Sequence, residues 1–272
     1  MDYKKTIALA KTVSPDNDTR QRNEPWPCLV NDHDVTLDEI DNPGEDFNWQ
    51  EFWRECKREY PLHSVAGGLT YSTPEIISRC EEQQVPHFAP KLKPEPNKKL
   101  KVLEIGYGYG GAAKRFHALG FDYYGIDYVS SGKPNKRYGK FIEISKSGIP
   151  KDILDKGEQF CLVYSENVFQ HLTHKQRLEY YHQAHKILKP GGMLYLKMFT
   201  CNDSEYENHK YDDDNKGKPY CCHFFGVQTS VPKIKQVNRI LKRIGFAPID
   251  DVKHTQTSDP RTNYTTFKYV KK

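Results

Sequence analysis

A glycine-rich turn flanked by two acidic residues is the feature of this 272-residue sequence that could most directly bind a ligand. The turn contains Gly106, Gly108 and Gly110. Glu104 lies two residues before the first glycine, and Asp127 follows further along the chain. Glycine lacks a Cβ atom and tolerates positive φ angles, so such a turn lets backbone approach a ligand closely. An acid at the position of Asp127 can accept hydrogen bonds from ribose hydroxyls. The pattern predicts a site for a nucleoside-containing ligand.

The charge of Glu104 distinguishes two ligand classes. Gly106, Gly108 and Gly111 also fit the G-x-G-x-x-G pattern of dinucleotide sites, so a nicotinamide dehydrogenase has to be considered. A pyrophosphate on this turn would lie near the negative charges of Glu104 and Asp127. S-adenosylmethionine carries a sulfonium and an ammonium group but no phosphate, so the same acids attract it. Glu104 therefore favours S-adenosylmethionine over NAD.

Two candidate catalytic residues follow the fourth predicted strand. Glu166 and His171 lie where open α/β sheets place their active sites, at the carboxyl ends of the strands. The imidazole of His171 titrates near neutrality, which suits a base that removes a proton from a methyl acceptor. Glu166 is the second candidate. Each also has a structural interpretation, since either side chain could simply hold the loop in place.

Strands that alternate with helices must position these residues, and this alternation predicts a largely parallel sheet. A capping box at Thr173–Gln176 begins one helix, which Lys189–Gly192 should end, and another helix should run from Pro232 to Gly245. The predicted strands are Lys101–Ile105, Tyr123–Ile126, Lys140–Ile144, Phe160–Tyr164, Met193–Phe199, Pro248–Val252 and Tyr264–Val270.

Four segments resemble the motifs of a known family in order and spacing. Val102–Gly111 resembles motif I of the class I S-adenosylmethionine-dependent methyltransferases, and Tyr124–Asp127 resembles their second motif. Phe160–Leu172 and Leu188–Leu196 are similar to motifs IV to VI of the small-molecule members. The resemblance covers roughly residues 97 to 272. It implies a Rossmann-like α/β fold: a seven-stranded, mostly parallel sheet with helices on both faces and an antiparallel last strand.

The resemblance also implies roles for individual residues. The three glycines of the turn would border the methionine part of the cofactor, near Glu104, and Asp127 would bind the ribose. Tyr128 would flank the adenine. Many relatives have an Asp that binds the adenine amino group where this sequence has Ser145. The product of the cofactor would be S-adenosylhomocysteine.

The chain divides into an N-terminal arm and helical cap, residues 1–96, and a methyltransferase domain, residues 97–272. Aromatic residues at helical spacing predict a cap helix over Phe47–Tyr60, and a second helix should begin near Ser72. Thr200–Val231 is longer than an ordinary connection and lacks a sustained period, so we interpret about 200–231 as a lid insertion over the acceptor.

Three functions remain open. The first is methyl transfer to an O or N atom of a small or medium-sized acceptor. The second is ribose 2′-O-methylation of RNA, because Gly192–Phe199 resembles the segment that holds a catalytic Lys in those enzymes, here Lys197; Glu166 replaces their Asp, and the other two tetrad residues have no clear counterpart. The third is a non-catalytic S-adenosylmethionine-binding module.

Composition sets the remaining expectations. A net charge of +5, from 41 basic and 36 acidic residues, is weak evidence for nucleic acid, which is therefore a possible partner but not the favoured one. The apolar stretch Ile7–Ala10 is too short for a signal or membrane segment. Seven cysteines, an odd number, fit reduced thiols in the cytoplasm better than a disulfide framework. Oligomeric state is left open.

A zinc site is not expected either. Five residues in and beside the predicted lid could ligate zinc, but the adjacent cysteines lack the C-x₂-C spacing with which two thiolates chelate a metal. These residues are Cys201, His209, Cys221, Cys222 and His223.

Overall fold

The computed structural model describes residues 50, 54, 99–129, 134–157, 159–201, 220–224, 227–250, 252–256 and 262–272. The predicted arm, the helix from Ser72 and nearly all of the helix Phe47–Tyr60 lie outside the described residues. Gln50 and Arg54, which fall within that last helix, are α-helical.

The described elements begin near the predicted domain boundary. The strands are β1 (Lys101–Ile105), β2 (Asp122–Asp127), β3 (Lys140–Glu143), β4 (Phe160–Glu166), β5 (Leu188–Cys201), β6 (Tyr220–Phe224), β7 (Val227–Val231), β8 (Phe246–Pro248), β9 (Lys253–Gln256) and β10 (Thr262–Lys271). The helices are α1 (Gly111–Ala118), α2 (Lys151–Leu154), α3 (His174–Ile187) and α4 (Ile234–Ile244), with 3-10 turns at Lys136–Tyr138 and Phe169–His171.

The main sheet has the strand order β3-β2-β1-β4-β5-β10-β8. Strands β1 to β5 run parallel to one another, and β10 pairs antiparallel with β5. This arrangement confirms the predicted Rossmann-like α/β fold with an antiparallel last strand. The carboxyl ends of β1, β2, β4 and β5 consequently meet at one edge of the sheet, where the candidate site residues lie.

The outer strand position beyond β10 is divided. Strand β8 pairs with the C-terminal end of β10, and β9 pairs with the N-terminal part of β10. Strands β8 and β9 therefore share one of the seven strand positions of the sheet. The predicted strand Pro248–Val252 is therefore placed wrongly, because it falls mainly on the gap between them. Phe246 is buried and anchors β8, whereas Ile249 is 42% exposed in the gap.

The helix boundaries follow local chemistry. Thr173 and Gln176 form the predicted capping box at the start of α3, and Gly245, with φ of 114°, ends α4 in the left-handed conformation. Lys189–Gly192 does not act as a separate stop, because α3 already ends at Ile187 and the chain enters β5 directly. The buried side chains of Ile187 and Leu188 explain this early start of the strand.

Two apolar clusters cover the two faces of the sheet. Val102 and Phe116 belong to the cluster beneath α1, whereas Leu103 and Ile105 pack with α3 and α4 on the opposite face. Successive residues of a strand point to opposite faces, so Glu104 lies on the α1 face with Val102.

The predicted lid contains regular structure. Strands β6 and β7 form an antiparallel hairpin, and β7 lies against the 3-10 turn Phe169–His171. The expectation of an irregular loop is wrong for these residues. The β-branched residues Val227, Thr229 and Val231, at every second position, are the sequence signal for this strand.

Candidate active site

The turn between β1 and α1 has the backbone geometry that its glycines suggested. Gly106, Gly108 and Gly110 have φ angles of 79°, 51° and 76°. The Gly106 N–H donates to the Ile126 carbonyl at 2.7 Å, and the Gly110 N–H donates to the Tyr107 carbonyl at 2.6 Å. These bonds hold the turn against the end of β2.

Space as well as backbone angle requires glycine here. A Cβ atom on Gly106 would lie 2.1 Å from Val168 Cγ2, and one on Gly110 would lie 2.9 Å from both Phe141 Cε1 and Pro134 Cβ. Val168 follows β4, so the end of β4 contacts the first glycine of the turn. The glycine turn and the predicted catalytic segment are therefore neighbours.

Asp127 closes the turn from the side of β2. Its Oδ2 accepts the Gly108 N–H at 2.8 Å, and its Oδ1 accepts the Val129 N–H at 3.3 Å. The carboxylate thus stabilises the turn itself, which was the structural alternative for this residue. Its predicted role at the ribose stays a prediction.

The two residues predicted at the adenine occupy different environments. Tyr128 is only 6% exposed, and its hydroxyl accepts a hydrogen bond from Gln176 Nε2 at 3.3 Å. Ser145, just after β3, is exposed. Gln50 Nε2 donates to the Tyr128 carbonyl at 3.2 Å, so the described part of the cap helix reaches this end of the site. The adenine roles stay predictions.

Glu104 is 4% exposed, and its Oε2 accepts a short hydrogen bond from the Tyr123 hydroxyl. Burial raises the pKa of this carboxyl to about 8; the Tyr123 hydrogen bond lowers it, whereas the charges of Glu166 and Asp127 raise it further. From the sequence alone, an ionised Glu104 is expected. The neutral acid predominates below that pKa, because the Tyr123 hydrogen bond only partly offsets the desolvation of the charge.

Gly125 makes room for the bond between Tyr123 and Glu104. It lies opposite Glu104 in the β1–β2 register, and a Cβ atom there would be 2.9 Å from both the Tyr123 hydroxyl and Tyr107 Cβ. Sequence reasoning did not identify Tyr123 as a site residue, because the contact depends on strand register.

Glu166 is the centre of a polar cluster formed by β4, β5 and β10. Its Oε1 lies 2.6 Å from Lys197 Nζ and accepts from the Tyr264 hydroxyl at 3.1 Å, and its Oε2 accepts from the Tyr164 hydroxyl at 2.7 Å. Lys197 Nζ also lies 4.6 Å from the centre of the Tyr264 ring. Lys197 is ion-paired, and Glu166 is held by three donors. This arrangement supports a positioning role for Glu166.

Asn167 extends the cluster and has an unusual backbone. Its φ of 59° is the sole positive value for a non-glycine residue in the described part of the chain. Its N–H donates to the Lys197 carbonyl at 2.9 Å, and its Oδ1 lies 2.8 Å from the Tyr264 hydroxyl. Strained residues of this kind cluster at functional sites. Neither Asn167 nor Tyr264 was predicted.

His171 ends the 3-10 turn after β4, and its side chain lies outside what the structure describes. The buried Arg177 of α3 holds this turn, because its Nη1 donates to the Leu172 carbonyl at 2.6 Å and to the Phe169 carbonyl at 3.3 Å. The loop therefore has a fixed backbone, while the role of His171 as a base stays a prediction.

The side chains considered for zinc also lie outside the described set, and the described residues contain no cluster of His, Cys, Asp and Glu able to hold a metal ion. No described helix combines the length and apolar character needed to span a bilayer.

The profile of the methyltransferase domain family matches residues 79–250. The chain belongs to this family. S-adenosylmethionine is the methyl donor of class I methyltransferases, and the sheet order described above is their fold. The family match removes the basis for a nicotinamide dehydrogenase.

Curated relatives of this chain include enzymes for different acceptor atoms. It is 28% identical over 165 residues to the ubiquinone biosynthesis O-methyltransferase of Roseobacter denitrificans, covering 57% of this chain and 61% of the relative. It is 28% identical over 132 residues to the phosphoethanolamine N-methyltransferase of Plasmodium falciparum, covering 46% of this chain and 49% of the relative. The chain thus matches less than two thirds of the length of either.

A solved SAM-dependent methyltransferase from Methanosarcina mazei has a similar fold. The TM-score is 0.50 at 16% identity, and the match covers 69% of this chain and 98% of that structure. At this identity the likeness concerns the fold alone.

The residues of the turn fit S-adenosylmethionine. Gly106, Gly108 and Gly110 form a turn without Cβ atoms, Asp127 accepts a hydrogen bond from this turn, and Glu104 lies two residues before it. Acids beside the turn suit a cationic ligand without phosphate. The glycines and both acids are thus the residues that would hold the cofactor.

Proposed function

We propose that this methyltransferase transfers the methyl group of S-adenosylmethionine to an O or N atom of a small or medium-sized acceptor, with S-adenosylhomocysteine as the product. One observation carries the proposal: Val168 packs on Gly106, so the segment after β4 meets the cofactor turn at the carboxyl edge of the sheet. Methyl donor and acceptor must meet at such a junction. Relatives that methylate O and N atoms support both kinds of acceptor.

When bound, the cofactor supplies an activated methyl group whose leaving sulfur departs uncharged, so no acid is needed at the donor. Positioning therefore contributes most of the rate acceleration. The glycine turn, Glu104 and Asp127 orient the donor. Glu166 fixes Lys197 and Tyr264 beside it, and His171 is the proposed base that removes a proton from the acceptor.

The hairpin β6–β7 is the proposed cover of the acceptor. Strand β7 lies against the turn that carries His171, which puts the hairpin beside the proposed base. A small acceptor would be enclosed there and shielded from water.

We propose that the protein is located in the cytoplasm.

The pairing of Lys197 with Glu166 keeps ribose 2′-O-methylation as a second candidate. Those enzymes use a lysine close to acidic residues, and Lys197 lies 2.6 Å from Glu166. The modest net charge of +5 favours small acceptors over RNA.

Calorimetric titration and a methylation assay together test the proposal. We expect S-adenosylhomocysteine to bind and NAD not to bind. With radiolabelled S-adenosylmethionine, we expect label transfer to members of a panel of catechols, phenols and small amines, and none to an RNA transcript. Binding without transfer to any acceptor would indicate the non-catalytic module, transfer to RNA that is lost in Lys197→Ala would indicate the ribose enzyme, and binding of NAD alone would contradict the proposal.

A further inference from the structure

Glu104 is a buried acid, and the described residues place no opposite charge beside it. It lies on the α1 face of β1, where the helix contributes the apolar side chains of Ala112, Ala113 and Phe116. In the described part of the chain, no Lys, Arg or His forms an ion pair with it. Among the described residues, its polar partner is the hydroxyl of Tyr123.

The titratable groups around Glu104 on the neighbouring strands are acidic or phenolic. Strand β2 contributes Tyr123 and Asp127, and β4 contributes Tyr164, directly opposite in the register, and Glu166. The cation of this region, Lys197 on β5, forms its ion pair with Glu166. An ionised Glu104 would therefore be desolvated and close to two further negative charges.

We propose that Glu104 is a neutral carboxylic acid in the ligand-free protein and loses its proton to solvent when S-adenosylmethionine or its product binds, with Tyr123 as the residue that positions the resulting carboxylate. This inference rests on the proposed function, because the turn beside Glu104 must receive the cationic amino-acid portion of the cofactor. No covalent bond forms or breaks apart from the O–H bond of Glu104. The cofactor ammonium supplies the positive charge that the described residues do not place at this position.

Thermodynamic linkage makes the inference measurable. A cation beside Glu104 favours its charged form, so binding lowers the pKa of a carboxyl that burial has raised to about 8. Protons are then released on binding below that value, and the affinity rises with pH, by at most tenfold per pH unit. The amino group of the ligand titrates in a similar range, so the decisive quantity is the difference between the wild type and Glu104→Gln.

Titration calorimetry with S-adenosylhomocysteine at pH 7, in buffers of different ionisation enthalpy, counts the protons released. We expect a substantial fraction of one proton from the wild type and a much smaller number from Glu104→Gln, which has nearly the same shape and no titratable group. Equal numbers from the two proteins would overturn the inference.

Tyr123→Phe tests the positioning role. The Tyr123 hydroxyl favours the ionised form of Glu104, so its loss should shift the pH range of proton release upwards, and release should persist at a pH where the wild type has ceased. Tyr269→Phe is the matched control, since Tyr269 is also buried and its hydroxyl bonds to Asn238 at the other end of the sheet. A Tyr123→Phe profile identical to that of the control contradicts the role of Tyr123.

The two possible failures are distinguishable. If S-adenosylhomocysteine binds but proton release does not depend on Glu104, this inference is wrong and the proposed function stands. If the ligand does not bind to the folded wild type at any pH, the proposed function itself is wrong and the inference with it.

Discussion

Lys197 Nζ lies 2.6 Å from Glu166 Oε1, across a register in which these two residues are direct neighbours on β5 and β4. Tyr264 of β10 adds a hydroxyl to the same carboxylate and its ring to the same lysine. Three strands that are far apart in sequence are thus connected at the edge of the sheet where the glycine turn lies. The Lys197–Glu166 ion pair consequently stabilises the sheet and is also part of the proposed acceptor environment.

Removing the charge of Lys197 should destabilise the fold. Lys197→Met leaves a carboxylate that is 11% exposed without its ion pair, and we expect a loss of about 1–2 kcal/mol in the free energy of unfolding, since partial exposure screens the charge. Urea denaturation measures this. In the double variant with Glu166→Gln, the loss should be smaller than the sum of the single losses; strict additivity would show that the two side chains are not coupled.

Gly106→Ala should weaken cofactor binding. The new Cβ atom would meet Val168 Cγ2 at 2.1 Å in a backbone with φ of 79°. We expect the affinity for S-adenosylhomocysteine to fall at least tenfold. Gly120→Ala is the matched control, because Gly120 has φ of 83° but open space around its Cβ position. It shares the backbone cost of about 1 kcal/mol and should bind the ligand normally. Equal effects of the two substitutions would contradict the predicted role of the turn.

The ligand-free protein should lose stability as the pH rises towards 8. Glu104 titrates at about 8 when folded and at about 4.5 when unfolded, so between these values the folded state binds more protons. The free energy of unfolding should therefore fall with rising pH across this window, by at most about 1.4 kcal/mol per pH unit from this group, and level off above it. Glu104→Gln removes this contribution, whereas Glu143→Gln at an exposed position keeps it. Urea denaturation between pH 6 and 9 measures the slopes, and parallel curves for wild type and Glu104→Gln would refute the assignment.

His171→Ala should lower turnover without weakening cofactor binding. Loss of a general base typically reduces the rate by about 10²–10⁴-fold, and kcat should fall in that range once an acceptor with a protonated nucleophile is found. His182→Ala, an exposed histidine on α3, is the control. An unchanged kcat in His171→Ala would remove His171 from the mechanism.

The parallel part of the sheet could be predicted closely because each strand and helix has its own local signal. Strand β1 has the predicted bounds, and the capping box at Thr173 and Gln176 begins α3 as expected. The glycine turn could also be predicted from the sequence. The positive φ angles of Gly106 and Gly110 favour glycine, and glycine is the residue found at both positions.

The polar contacts of the site could not be predicted because they depend on pairing between distant segments. Tyr123 meets Glu104 from 19 positions away, and Tyr264 meets Glu166 from 98 positions away. No local periodicity reports such contacts. The pKa of Glu104 was missed for the same reason: the charge is evident in the sequence, whereas its burial among apolar and acidic neighbours appears only in the folded chain.

The most direct test of the account is a crystal structure of the protein soaked with S-adenosylmethionine. The account predicts the cofactor along the turn from Gly106 to Gly110, with its ribose hydroxyls at Asp127 and its amino-acid portion near Glu104. A turn that stays empty at saturating cofactor, or one that holds a diphosphate-containing nucleotide instead, would contradict it.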